Sequence, residues 1–241
     1  MANNLKSFVN IKGNEQSVKL IDSMIEKVQN NDSDGSIPAF ATAFYNDVKR
    51  GENGGVMNDW SLKHLGSKWT TLYDVKGEGE FSIESAWYPP KQFFIHLYNL
   101  CVTLDENVEI EVTYEDETYN PIGAIVIKKD RDGTPCIWEE EDNDIENPLE
   151  DMDWDDENYD EVSSEFYESV YDTQLRLLSN CKELIELDAI FPTEAVPYIF
   201  CAACVDYHCH FVEPLFYHRR GRSGSTAIQT CLSAYVSERE Y

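Results

Sequence analysis

Residues 59–90, DWSLKHLGSKWTTLYDVKGEGEFSIESAWYPP, constrain the fold more than any other part of the chain. They hold three of the five tryptophans, Trp60, Trp69 and Trp87. Trp69, Thr71, Tyr73 and Val75 alternate along the sequence, and so do Phe81, Ile83, Ser85 and Trp87. A period of two places each set on one face of a strand. Between the sets, Lys76-Gly77-Glu78-Gly79 has the composition of a hairpin connection. Pro89 and Pro90 stop the second strand and suit the first turn of a helix. A short helix from Trp60 leads into the hairpin. Trp69 and Trp87 are expected to be largely buried around it.

The flanking segments extend this pattern. Residues 6–12, KSFVNIK, read as a strand, and Val18, Ile21, Ile25 and Val28 then recur at helical spacing over about residues 14–29. Residues 30–38 read as a polar loop and 51–55 as a turn. A second helix is expected from about Pro90 to Leu104. Val108, Ile110, Val112 and Tyr114 alternate as a strand. Ile122 to Lys128 follows as another, and Asp132-Gly133 leads a hairpin into residues 135–138. This order predicts an α+β fold over 1–138, a ferredoxin-like antiparallel sheet with its helices on one face.

Residues 139–161 form an acidic connecting segment, and 162–241 an all-α C-terminal extension. Val162, Phe166, Val170, Leu177, Leu178, Cys181, Leu184 and Ile185 predict a long helix. Residues 198–217 are largely apolar and read as a buried helix. Residues 218–226 read as a loop, and Thr226 with Gln229 matches a capping box for a last helix to about Arg239.

A chain of 241 residues, 42% of them hydrophobic, can bury a real core. No apolar run approaches the ~18 residues of a membrane span. The N-terminus has no secretory layout, so the seven cysteines are expected as mostly free thiols in a reducing compartment. The net charge is -27, with 46 acidic residues against 19 basic ones. Residues 132–174 alone hold 18 acidic residues and no Lys or Arg. Phosphate affinity comes from Lys and Arg, so broad direct contact with DNA or RNA is not expected. A basic partner is, because the summed field would steer one in.

Gly66-Ser67-Lys68-Trp69, then Tyr73-Asp74, Phe81 and Ala86-Trp87-Tyr88-Pro89-Pro90 resemble the G-T-K-W, Y-D and A-W-S-P-P elements of the ferredoxin-like YubB family of phage and plasmid proteins. Phe8–Gly13 and Val18–Val28 are similar to that family's opening strand and helix, and Trp60 stands where the family has an aromatic. The likeness covers about residues 5–130. It implies a fold and a mobile-element origin, and with it the cytoplasm of a host cell. That family has no established chemistry, so no catalytic residue carries over. Ser67 and Tyr88 depart from the common residues.

Three clusters could carry chemistry. Cys201, Cys204 and His208, within CAACVDYHCH, share one helical face and are ligand types that zinc prefers. The apolar flanks favour a buried helix using Cys as a small hydrophobe, with no cofactor. Arg219, Arg220 and Arg222 precede the expected helix start at Thr226, where an anion could sit. Pairing with the chain's own carboxylates is the plainer reading. Asp151, Asp153 and Asp155 begin a calcium-loop pattern that fails at Asp156, where Gly is required, and at Val162, where Glu is.

The leading expectation is a non-enzymatic accessory protein with no catalytic residue. Glu150, Asp151, Asp153, Trp154, Asp155, Asp156 and Glu157 would engage a basic host protein, nucleic-acid-binding in kind. The carboxylates imitate phosphates and Trp154, Met152 and Leu149 serve as apolar anchors. Inhibition of a defence or nucleic-acid-handling enzyme would follow. The alternatives are a metal-dependent enzyme or accessory factor using residues 201–210, and a soluble structural protein whose acidic segment is a solvated linker.

Overall fold

A computed structural model describes residues 3–31, 37–150, 152–188, 216–220 and 226–231. Its strands are β1 (Asn4–Lys12), β2 (Lys68–Gly77), β3 (Glu80–Ala86), β4 (Glu109–Asp116), β5 (Ile122–Lys129), β6 (Pro135–Asp142), β7 (Phe216–Arg220) and β8 (Thr226–Cys231). They form one sheet in the order β2-β3-β1-β4-β5-β6-β8-β7. Every neighbouring pair is antiparallel. The helices are α1 (Glu15–Asn31), α2 (Ile37–Phe44), α3 (Asn58–His64), α4 (Lys91–Cys101) and α5 (Tyr159–Asp188). None of them is long and apolar enough to cross a membrane.

Side-chain alternation gives the sheet two unlike faces. On β1, Leu5, Ser7, Val9 and Ile11 are buried, while Lys6, Phe8, Asn10 and Lys12 take the other phase. On β4, Ile110, Val112 and Tyr114 join the core, and Glu109, Glu111, Thr113 and Glu115 alternate with them. The first face carries the larger core, where Ile21, Ile25, Phe40, Phe93 and Leu97 of α1, α2 and α4 meet Leu5, Val9, Ile83 and Ile110. Asn14 caps α1 by accepting from the backbone N–H groups of Gln16 and Ser17 at 3.1 and 3.0 Å.

The helices are not confined to that face. Strand β5 reads IGAIVIKK, and an apolar run this continuous needs cover on both sides. Ile125 and Ile127 join the first core. Ile122, Ala124 and Val126 join a second, with Phe166, Val170, Leu177, Cys181 and Ile185 of α5. Burying each large apolar side chain of this helix contributes roughly 1.5–3 kcal/mol before chain entropy is counted. Helix α5 therefore lies on the opposite face, over β5 and β6 and the margin of β4.

The C-terminal region is not all-α either. Residues 216–220 and 226–231 are strands where a loop and a capped helix are expected from sequence. Thr226, Ile228 and Thr230 are β-branched at a period of two, which suits a strand. β8 pairs along β6 from Glu141 to Cys136, so the backbone groups of that edge find partners. Residues 198–215 of the expected buried helix lie outside the described residues, while Phe216 and Tyr217 begin β7. Two boundaries also move. β6 runs on to Asp142, and α5 starts at Tyr159. Helix α2, which starts where a polar loop is expected, brings Phe40 and Phe44 against Phe93.

Trp69 and Trp87 are not core residues: they are 49% and 42% exposed. Both have positive φ, 54° and 66°, and the β2–β3 register shifts between Lys68 and Thr71. That irregularity breaks the alternation on which the buried expectation rests. Leu72, Phe81, Ile83 and Trp60 fill the core there instead.

Candidate functional site

Helix α5 presents three distinct surfaces, set by the spacing of its residues. The stripe Phe166, Val170, Leu177, Cys181 and Ile185 faces the sheet. Glu161, Glu165, Glu168 and Asp172 recur at i, i+4, i+7 and i+11 and are all exposed on the opposite side. Between these two, Tyr167, Tyr171 and Leu175 form an exposed apolar flank at i, i+4 and i+8.

The connecting segment that precedes α5 carries further exposed carboxylates. This segment is tied down at its start, where Asn120 Nδ2 donates to the Ile145 carbonyl at 2.8 Å and the Ile145 N–H donates to Asn120 Oδ1 at 3.1 Å. Arg176 donates to Asp142 at 2.9 Å. Ile145 and Leu149 pack against the second core. Leu149 is thus an internal contact rather than a free anchor, and Met152 is half-buried. The Asp153 N–H donates to Asp156 Oδ2 at 3.0 Å, and the Asp156 N–H returns to the Asp153 carbonyl at 3.0 Å. This closed turn holds Trp154 outward, 83% exposed. Glu150, Asp153, Asp155, Asp156 and Glu157 are exposed around it. Asp151 lies outside the described residues.

A second feature lies where α5 stops covering its face of the sheet. A groove of about 250 Å³ runs between the α5 flank and the open part of β1, β2 and β3. Phe8, Tyr73, Tyr171 and Leu175 line it, all of them exposed. At its deep side sits Glu111, bridged by Lys12 at 2.6 Å and by Lys182 of α5. Burial pushes the Glu111 carboxyl up, but hydrogen bonds from Glu109, Lys12 and Lys182 outweigh it and hold the group below the ordinary range. Glu109 moves the other way, raised by burial and by its bond to Glu111. Lys182 ties α5 to β4, as does Gln174, whose amide donates to Glu115 at 3.0 Å.

The remaining sequence candidates fare differently. Cys201, Cys204 and His208 lie outside the described residues, and no cluster that could hold a metal ion occurs among the described ones. Arg219 and Arg220 belong to β7, paired by backbone with Ala227 and Thr226. Arg222 lies outside the described residues. Thr226 opens a strand, so the helix N-terminus that an anion would use is not there. His64 and His96 stack on Trp60 and Tyr45 at 4.6 and 4.2 Å, as packed side chains. The groove residues were missed from sequence. The available signals were Phe8, an aromatic on the polar phase of β1, and the Tyr167-Tyr171-Leu175 row beside the buried stripe of α5. No family model, curated protein or solved structure matches this chain.

Proposed function

We propose that this chain is a non-enzymatic acidic binding protein whose partner is a basic, nucleic-acid-binding protein. The observation that carries the reading is Trp154, 83% exposed and flanked along the chain by exposed carboxylates, with a further exposed acidic row on α5 just after it in sequence. A single exposed ion pair contributes about 0–1 kcal/mol. A row of carboxylates acts collectively, through steering and through charge complementarity. Carboxylates spaced along a rigid helix offer Arg and Lys the same anionic acceptors that a phosphate backbone does. Trp154 supplies the desolvated anchor that such a complex needs. A host enzyme occupied in this way would lose access to its nucleic acid.

The likeness to YubB proteins supports a mobile-element setting and the host cytoplasm for this binding. It also fits a ferredoxin-like reading of the first four strands, in the order β2-β3-β1-β4 with α1 and α4 on one face. β5 and β6 would then be additions that give α5 its seat.

The test is affinity capture on the immobilised full chain, with salt titration and nucleic-acid competition. Binding is expected to fall as salt rises, and DNA or RNA is expected to release the captured protein. Salt-independent capture that nucleic acid leaves untouched would defeat the proposal.

A further inference from the structure

We propose that the groove between α5 and the open sheet face is a second binding site, and that it takes an arginine side chain of an extended basic peptide. Three exposed aromatics from three different elements converge there, Phe8 from β1, Tyr73 from β2 and Tyr171 from α5. None is needed to close either core. Ring faces of this kind attract cations through their quadrupole. The Tyr73 ring already does so: Lys6 Nζ stands 4.5 Å from its centroid and 3.4 Å from its hydroxyl oxygen. The same chemistry therefore operates at the rim of the groove.

Charge points the same way. The lining carries Asp74, Glu80 and Glu111 against Lys76. Glu111 is engaged by Lys12 and Lys182, which leaves Asp74 and Glu80 to meet an incoming cation. The volume, about 250 Å³, equals roughly eight water molecules at ~30 Å³ each. That is room for one long side chain, not for a helix. Guanidinium suits the site better than ammonium because its flat, weakly hydrated face stacks on Tyr171 while its edge donates to a carboxylate. Leu175 and Leu178 offer the methylene stem an apolar wall.

The site is separate from the Trp154 surface, so the two readings can fail independently. The probe is acetylated tri-arginine amide, titrated into the full chain beside its tri-citrulline analogue, which keeps shape and removes charge. The arginine peptide is expected to bind about tenfold more tightly than the citrulline one. Tyr171→Ala is expected to weaken it about fivefold, and Tyr171→Phe to restore it. Leu175→Arg, which places a fixed cation at the rim, should weaken it as well. Neutralising Asp153, Asp155, Asp156 and Glu157 together should leave it unchanged. Equal binding of the two peptides would overturn the proposal. So would wild-type binding by both Tyr171→Ala and Leu175→Arg. Loss of binding in the neutralised variant alone would assign the peptide to the Trp154 surface and overturn it too.

Discussion

The rings of Trp69 and Trp87 lie 5.6 Å apart at the open end of the β2–β3 hairpin, and both residues hold a left-handed backbone. Left-handed φ costs a residue with a Cβ about 1–2 kcal/mol, and glycine escapes that cost. Trp87→Gly is therefore expected to be about 0.5–1 kcal/mol more stable than Trp87→Ala, the reverse of the usual order. Because the side chain is nearly half exposed, Trp87→Ala itself should cost roughly 2 kcal/mol or less, below the 3–5 of a buried aromatic. Urea denaturation of the two variants checks both statements. An alanine variant more stable than the glycine one would contradict the left-handed assignment.

This pair also marks how far the fold could be read from the sequence. Phe81 and Ile83 obey the period of two and lie in the core, whereas on β2 the core residue is Leu72, on the opposite phase from the expected set Trp69, Thr71, Tyr73 and Val75. Trp69 and Trp87 belong to the same alternating sets, yet a register shift and two positive φ angles turn them outward. No composition rule announces such a bulge. Likewise the long helix at 159–188 was legible from Phe166, Val170 and Leu177, but not which face of the sheet it would cover. The clue lay in the two-sided apolar run of β5, not in α5. Thr226 and Gln229 fit a capping box as well as they fit a strand. Pairing with the edge of β6 decided between them. The acidic segment was plain from sequence, whereas the exposure of Trp154 and the packing of the partly buried Leu149 depended on tertiary contacts.

Tyr114 crosses the sheet over Gly123, its partner on β5. A Cβ at residue 123 would meet Tyr114 Cζ at 2.1 Å, which no backbone adjustment of a few tenths of an ångström relieves. The phenol cannot move freely, because its single O–H is held between the carboxylates of Glu139 and Glu141, at 2.8 and 2.7 Å from its oxygen. Glu139 is itself bridged to Lys91 at 2.5 Å. Gly123→Ala is expected to cost about 3 kcal/mol, at the upper end for overpacking. A thermal midpoint unchanged from wild type would contradict this geometry.

The Glu109–Glu111 pair predicts opposite effects for two similar substitutions. Glu111 has a lowered pKa in the folded chain, so its contribution is present above the ordinary glutamate value and is lost as pH falls through the lowered one. Glu109 has a raised pKa, so its contribution is present at low pH and is lost as pH rises through the raised value. Glu111→Gln should destabilise the chain near neutrality and flatten its acid limb. Glu109→Gln, which fixes the neutral form, should be equal to or more stable than wild type at neutral pH. Denaturant midpoints measured across the acid range for both variants check the signs. Equal loss in both at neutral pH would contradict the assignment.

Cys101 and Cys181 are buried free thiols. Burial, assisted by Asp105, pushes the Cys101 thiol up to about 12, and burial with Glu140 and Glu139 raises that of Cys181. The thiolate is the reactive form, so both should resist alkylation at neutral pH until the chain unfolds. Peptide mass mapping after brief labelling, with and without denaturant, reads this directly. Rapid labelling of Cys181 in the native chain would mean that α5 does not stay docked on the sheet.

Neutralising the carboxylates that flank Trp154 and neutralising the outer row of α5 together give the most direct test of the acidic binding surface. The measurement is the affinity of the captured basic partner for wild type, for Asp153→Asn with Asp155→Asn, Asp156→Asn and Glu157→Gln, and for Glu161→Gln with Glu165→Gln, Glu168→Gln and Asp172→Asn, each at low and physiological salt. All eight side chains are exposed, so both variants should fold as wild type does. Each is expected to lose about tenfold or more in affinity at low salt and to show a shallower salt dependence, because fewer exposed charges remain to be screened. Trp154→Ala should lose affinity with an unchanged salt slope, since its contribution is apolar. Wild-type affinity and salt slope in both neutralised variants would contradict an acidic, nucleic-acid-like surface and leave the segment as a solvated connection.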